Sequence, residues 1–259
     1  MRQPQPDRMQ AAGEEPLVRS LAARYSAGTL VPPHRHEWHQ LIYAREGVMW
    51  VQTEEGDWVV PPNRAVWVPA GVRHGIEMVG PVFIHTLYLA AGIAGELPPS
   101  CCAVNVSPLL REIVLRTIEL GVLHAEVPAQ GRLLGVLVDQ VSGLPAIPLQ
   151  LPSPSDERAR RAAAWLKAHP DDAGSIGQMA KRVAASARTL ERLFHKETGL
   201  TFGRWRQQLR LLQALRLLAA GRPVTAVALE VGYESTSAFI AMFKRALGTT
   251  PRRYFGGRR

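Results

Sequence analysis

Between residues 186 and 196 the chain sets side chains that can hydrogen-bond base edges and phosphates beside an apolar stripe. Leu190, Leu193 and Phe194 fall on one face of a helix, which leaves Ser186, Arg188, Thr189, Glu191, Arg192, His195 and Lys196 at its start or on its outward side. Arginine presents a planar fork to guanine, and hydroxyls, amides and ammonium groups reach base edges or backbone oxygens, so this row can read a duplex. A second stripe, Phe239, Met242 and Phe243, leaves Thr236, Ser237, Ala238, Ile240, Ala241, Lys244 and Arg245 outward, a far less polar face. The expectation is that the first helix reads bases, while the second adds methyl contacts and backbone anchoring. Arg204, Arg206, Arg210, Arg252 and Arg253 are expected at phosphates, with a solvated surface as the other reading.

Reading helices need a partner helix and a turn to hold them. Ile176, Met179, Ala180 and Val183 recur as Val224, Val227, Ala228 and Val231, 48 residues on (176 to 224). The second stripe recurs after 49 (190 to 239). One extra residue in the second turn accounts for the difference, and Gly232 can take the positive φ that such a turn needs. Ser186 and Ser235 are candidate N-caps. Phe202, Trp205, Leu209, Leu212 and Leu215 mark a connecting helix between Gly199 and the Gly221-Arg222-Pro223 stop. At roughly 18 residues it is about 27 Å long, which holds the two reading helices near one DNA turn apart, roughly 34 Å.

The segments IGQMAKRVAASARTLERLFHKETGLTF and VTAVALEVGYESTSAFIAMFKRALGTTPRRYF resemble the AraC/XylS family of bacterial transcription regulators, from about residue 153 to about 256. Gly232-Tyr233, Phe239, Phe243-Lys244, Gly248 and Pro251 stand where that family's signature has them. The resemblance implies a DNA-binding domain over 156–256 with two helix-turn-helix units.

Charge agrees with a polyanionic partner for one half only. Residues 1–150 carry 11 Lys/Arg against 14 Asp/Glu, net −3, and residues 151–259 carry 20 against 8, net +12. The basic residues flank helix-turn-helix patterns rather than an amphipathic apolar face, which favours double-stranded DNA over a membrane. At 259 residues the chain is long enough for two domains. No apolar run approaches the roughly 20 residues that span a bilayer, and the first 16 residues hold none fit for a signal peptide. The expected location is the bacterial cytosol or nucleoid. Cys101 and Cys102 are adjacent, so neither a disulfide framework nor a cysteine metal site forms; they read as reduced thiols in a loop.

Residues 17–95 change texture to short apolar runs: Leu41 to Tyr43, Val48 to Thr53, Trp58 to Val60, Val66 to Val68 and Phe83 to Leu89. They read as strands of a sandwich or barrel, with Glu54 to Asp57 as a hairpin turn. On an extended strand His34, His36, Trp38 and Gln40 share one side and His39 faces the other. With Gly28 and Gly47 around them and Pro69-Ala70-Gly71-Val72-Arg73-His74 further on, these residues resemble the two motifs of the cupin superfamily of small β-barrels. The carry-over places His34, His36 and His74 at a metal, with Gln40 where cupins have a carboxylate. Asn63 and Met78 depart from the second motif's terminal Gly and Asn. Three imidazoles suit Zn, Fe, Ni, Cu or Mn; the alternative is a metal-free polar pocket that hydrogen-bonds an organic effector. Trp38, Trp50, Trp58 and Trp67 could wall such a pocket or form plain core, and Trp38, Trp50 and Trp67 join His34, His36, Gln40 and His74 as its expected lining.

The fold expected is α+β in two domains: a cupin-like β-barrel, then an all-α domain with two helix-turn-helix units joined by a long helix. Residues 1–16 read as a flexible arm. Residues 96–142 carry helical stripes, Leu110, Ile113, Val114, Thr117 and Ile118, then Leu133, Leu134, Leu137 and Val141, able to pack on the barrel or on a second copy. The resemblance favours a homodimer there. Residues 143–155, with four prolines in GLPAIPLQLPSPS, read as an extended linker. The function expected is a non-enzymatic, sequence-specific regulator whose barrel binds a small-molecule effector; as an activator it would add RNA polymerase as a partner. The alternative is a metal-dependent cupin enzyme, an oxygenase or isomerase, fused to a DNA-binding domain.

Overall fold

The chain divides into two compact units, 1–150 and 151–259. The computed structural model describes residues 15–62, 64–93, 97–143 and 149–256, so the arm expected over 1–16 falls almost wholly outside the described residues. Among them no helix is long and apolar enough to cross a membrane.

The first unit is built on two long antiparallel strands, β3 (Trp38–Thr53) and β6 (His74–Ala90). They pair from Trp38↔Ala90 to Thr53↔His74, with register breaks between Ala44 and Val48. The break sits at Gly47, whose φ is +79° and whose missing Cβ would collide with the backbone at Pro81 and Val82; only glycine lets the strands bend here. Because both strands bend, each serves two layers. The first half of β3 lies between β5 (Arg64–Val68) and the second half of β6, with β1 (Val18–Tyr25) beyond. The second half of β3 lies between β4 (Gly56–Val60) and the first half of β6, to which β2 (Leu30–His34) adds.

The closed barrel expected from the strand pattern is corrected. The main path runs β7-β5-β3-β6-β1-β8 and leaves β7 (Cys102–Asn105) and β8 (Val122–Leu123) as separate edges. Closure requires the two edges to hydrogen-bond to each other; here the chain leaves β7 into α1 (Pro108–Leu120) instead, and helices cover the sheet. Leu110, Ile113 and Val114 of α1 and Leu134, Leu137, Val138 and Val141 of α2 (Pro128–Ser142) pack with Leu41, Tyr43, Trp67, Leu87 and Leu89 on the outer face. The helical stripes thus meet this chain's own sheet. Each such fully buried aliphatic side chain contributes about 1.5–3 kcal/mol.

Two local readings also change. Cys102 opens β7 opposite Trp67 rather than lying in a loop, and burial pushes the Cys101 thiol up to about 12. The described part of the proline-rich run is tied down: Leu149 accepts from Val59 N–H and, like Leu151, is buried. Ser155 and Asp156 N–H groups donate to Glu197. Residues 144–148 lie outside the described residues.

The second unit is helical: α3 (Glu157–Ala168), α4 (Ile176–Arg182), α5 (Ala187–Thr198), α6 (Phe202–Ala219), α7 (Val224–Glu230), α8 (Thr236–Leu247) and α9 (Pro251–Gly256). The starts of α4 and α7 differ by 48 residues and those of α5 and α8 by 49, matching the sequence repeat. Ser186 and Ser235 cap the reading helices, accepting from Thr189 and Ala238 N–H. Gly199 and Gly248 end them in the left-handed conformation. Pro223 stands at the N-cap of α7, one position before the first turn expected for it.

Candidate effector cage and DNA-reading helices

The cage lies where the two layers of the first unit face each other. His34 ends β2 opposite His74, which opens β6, and His36 follows on the link to β3. Gln40 comes from the other layer, paired with Val68 and Tyr88. The ring centroids lie 4.4 Å (His34–His74), 5.2 Å (His36–His74) and 5.8 Å (His34–His36) apart. One nitrogen from each ring falls within 4.8 Å of the others. The structure therefore brings together the four residues that the cupin motifs suggested.

Hydrogen bonds fix which atoms face inward. Nδ1 of His34, His36 and His74 lies 3.0, 2.8 and 3.0 Å from the carbonyls of Pro32, Trp38 and Val72. A carbonyl only accepts, so each Nδ1 carries a proton, and in the neutral tautomer Nε2 is the free ligand atom. Nε2 of His36 and His74 lies 3.1 and 3.0 Å from Gln40 Oε1. The Thr86 hydroxyl donates to Leu41 O and accepts from Gln40 Nε2 at 2.9 Å, which turns the amide oxygen toward the rings. Burial, with the neighbouring imidazoles, lowers His74 to about 4 against the opposing effect of its hydrogen bond to Val72 O. The cage thus presents acceptors to acceptors, a donor set that suits a divalent transition ion between three imidazole nitrogens and a neutral oxygen.

Strand alternation assigns the remaining lining. On the Gln40 face lie Arg19 and Tyr25 of β1, Trp38 and Ile42 of β3, and Thr86 and Tyr88 of β6. Arg19 is 7% exposed and its guanidinium lies 4.8 Å from the Trp38 ring centroid; Tyr88 packs edge-on to His36 at 5.4 Å. Two expected lining residues are corrected. Trp67 pairs with Leu41, turns to the helix-covered face and donates to Pro98 O. Trp50 pairs with Glu77, one step out of phase with His74. Trp58 takes their place: it pairs with Val51, which pairs with Ile76, in phase with His74. Its indole N–H is buried without a partner. Thr86, Tyr88 and Arg19 were missed because no motif marks them; only the register of β1, β3 and β6 brings them to Gln40.

On the second unit, Arg188, Arg192, His195 and Lys196 are exposed and Thr189 and Glu191 half-buried on α5. Ser186 Oγ is occupied by the Thr189 N–H and hydroxyl. On α8, Ser237, Ala241, Lys244 and Arg245 are exposed and Thr236 and Ile240 half-buried. Arg204 is exposed at the start of α6. Two arginines expected at phosphates turn inward instead. Arg210 donates to Pro170 O, Gly232 O and Asp172 O at 2.9, 3.0 and 2.9 Å, and Arg206 donates to Gly174 O at 2.6 Å. Unpaired loop carbonyls need donors, and these two guanidinium groups supply them.

Residues 17–126 match the model of an AraC-like ligand binding domain, and residues 179–257 match that of a helix-turn-helix domain. The HTH-type transcriptional regulator NimR of Escherichia coli K12 is 40% identical over 223 residues, which span 86% of this chain and 81% of that protein. The arabinose operon regulatory protein of Escherichia coli K12 is 31% identical over 230 residues, 87% of this chain and 66% of that protein. Among solved structures, the DNA-binding domain of AdpA in complex with a target DNA is 31% identical, covering 39% of this chain and 92% of that one, with a TM-score of 0.37. The chain belongs to the AraC family of transcriptional regulators, and joins a helix-turn-helix DNA-binding domain to an AraC-like ligand-binding domain.

Proposed function

We propose that this regulator senses a small molecule at the His34, His36, Gln40 and His74 cage and that the cage holds a divalent transition ion. The observation that carries the reading is the convergence of one nitrogen from each of three imidazoles on the Gln40 amide oxygen, with His36, His74 and Gln40 buried and His34 half-buried. The ion would supply a Lewis-acidic anchor for the effector; the protein residues orient it and exclude water. The relatives named as regulators support a sensor rather than an enzyme, and a cytosolic location follows from that role. On DNA, α5 reads bases through Arg188 and Arg192, while α8 contributes Ile240 and Ala241 methyl contacts and Lys244 and Arg245 phosphate contacts. The working form is a homodimer. The apolar stripes of α1 and α2 are already used on the sheet, so the dimer contact falls to their outer sides, where Leu109 and Val136 are 53% and 42% exposed. As an activator, the dimer would also meet RNA polymerase.

The test is metal content per chain of protein purified without a His-tag or chelator, beside a His34→Ala, His74→Ala double variant. One ion per wild-type chain, absent from the variant, is the expected result. Metal-free wild type that folds and binds DNA would overturn the metal and leave a polar pocket for an organic effector.

A further inference from the structure

We infer that the effector is an anion that binds to the cation held in the cage. The inference rests on the metal reading proposed above and goes further, because it assigns the effector's charge.

What decides it is charge balance at a site whose His36, Gln40 and His74 are buried and whose His34 is half-buried. Imidazoles that ligate through Nε2 while Nδ1 keeps its proton bring no charge, nor does the Gln40 amide, so a divalent ion held by them keeps its full charge. Nor does the rest of the face compensate. Among the described residues, the positions of β1, β3 and β6 in phase with Gln40 and His74 include Arg19 and Tyr25 on β1, Trp38, Ile42, Ala44 and Thr53 on β3, and Ile76, Val82, Thr86 and Tyr88 on β6. None is Asp or Glu. Asp57, the buried carboxylate of this unit, adjoins Trp58 on β4 and so takes the other face. Arg19, a positive side chain, lies on this face as well. Isolated charge in an apolar interior is strongly disfavoured, so a second ligand that brings negative charge is favoured over a neutral one of the same shape. An ion that takes five or six ligands keeps positions open for it beside three imidazoles and one amide.

Thr86 is the positioning residue in this arrangement. Its hydroxyl donates to Leu41 O and therefore receives the Gln40 NH2, which leaves Oε1 for the cation. Without that hydroxyl the amide can reverse and present its NH2 to the imidazoles, which repels a cation.

The experiment uses the full-length chain loaded with Co(II), titrated by calorimetry and visible absorption with acetate and, separately, with acetamide. Acetate is expected to bind at least about tenfold tighter than acetamide and to shift the cobalt bands. Gln40→Glu supplies the missing charge from the protein, so this variant is expected to keep or tighten its cobalt while its preference for acetate falls by about tenfold. Thr86→Val is expected to lose about tenfold or more in cobalt affinity with its circular dichroism unchanged. Cobalt that binds normally while acetate and acetamide bind alike would overturn the anion inference and leave the metal reading standing. Failure to bind cobalt at all would overturn both.

Discussion

The two helix-turn-helix units share one scaffold and differ in nearly everything they present. Met179, Ala180, Val183, Leu190, Leu193 and Phe194 bury the first unit's core; Val227, Ala228, Val231, Phe239, Met242 and Phe243 bury the second's. Both turns use the same pair of hydrogen bonds, Ala184 N–H to Lys181 O with Ala185 N–H to Ala180 O, and Gly232 N–H to Leu229 O with Tyr233 N–H to Ala228 O. Glu234, which has no counterpart in the first unit, is the extra residue before the second N-cap. Yet the first turn sets an alanine at φ 55° where the second has glycine at φ 79°. The outward faces diverge in the same way, four charged or imidazole side chains on α5 against a mixed methyl and basic face on α8. Backbone geometry is specified by the buried stripe and the turn bonds, so the exposed residues are left to specialise.

The difference at the turn has a cause that mutation can probe. Arg210 fills its seat against three carbonyls, including Gly232 O, and nothing equivalent presses on Ala184, which is exposed. Arg210→Ala should therefore lower the stability of the second unit by about 3 kcal/mol, since three carbonyls lose a charged donor; denaturant unfolding of the full chain measures it. A loss under 1 kcal/mol would show that the second turn does not depend on this seat. Gly232→Ala comes next, at about 2 kcal/mol, because its Cβ would sit 2.6 Å from Arg210 Nη2 and 2.8 Å from Asp171 Cα in addition to the φ cost. On DNA, Arg188→Ala and Arg192→Ala should each cost about 1–3 kcal/mol of discrimination between operator and mismatched sites. Ile240→Ala should cost less, and the reverse order in a binding titration would invert the assignment of the two helices. The smallest effect is a gain: Ala184→Gly should stabilise by about 0.5–1 kcal/mol, as strain at positive φ is relieved, and a loss in thermal unfolding would contradict that.

Much of this comparison was legible in the sequence, and the reasons are physical. Helical repeats with apolar residues at fixed spacing declare themselves, and so do serine caps and glycine stops. Ala184 gave no sign, because alanine seldom takes positive φ and here does so under the force of the turn's hydrogen bonds. Arg210 read as a phosphate ligand because its internal partners are backbone carbonyls, which carry no sequence signature. In the first unit it was the resemblance to the cupin motifs that pointed to His34, His36, Gln40 and His74 together. Trp50 and Trp67 were misplaced because a tryptophan's side of a strand follows from pairing and bulges, which only the register reveals. Closure of the barrel was overestimated for the same reason: strand count does not say whether two edges meet.

The Arg210 seat also bears on the DNA. Through one guanidinium, the loop before α4 and the turn before α8 are tied to the same helix, so the two reading helices form a stiff caliper rather than two independent fingers. A caliper of fixed span cannot follow a groove repeat that differs from it, so any mismatch passes to the duplex. Such a caliper would favour operators whose base steps between the two contact sites bend willingly, at positions that no side chain touches.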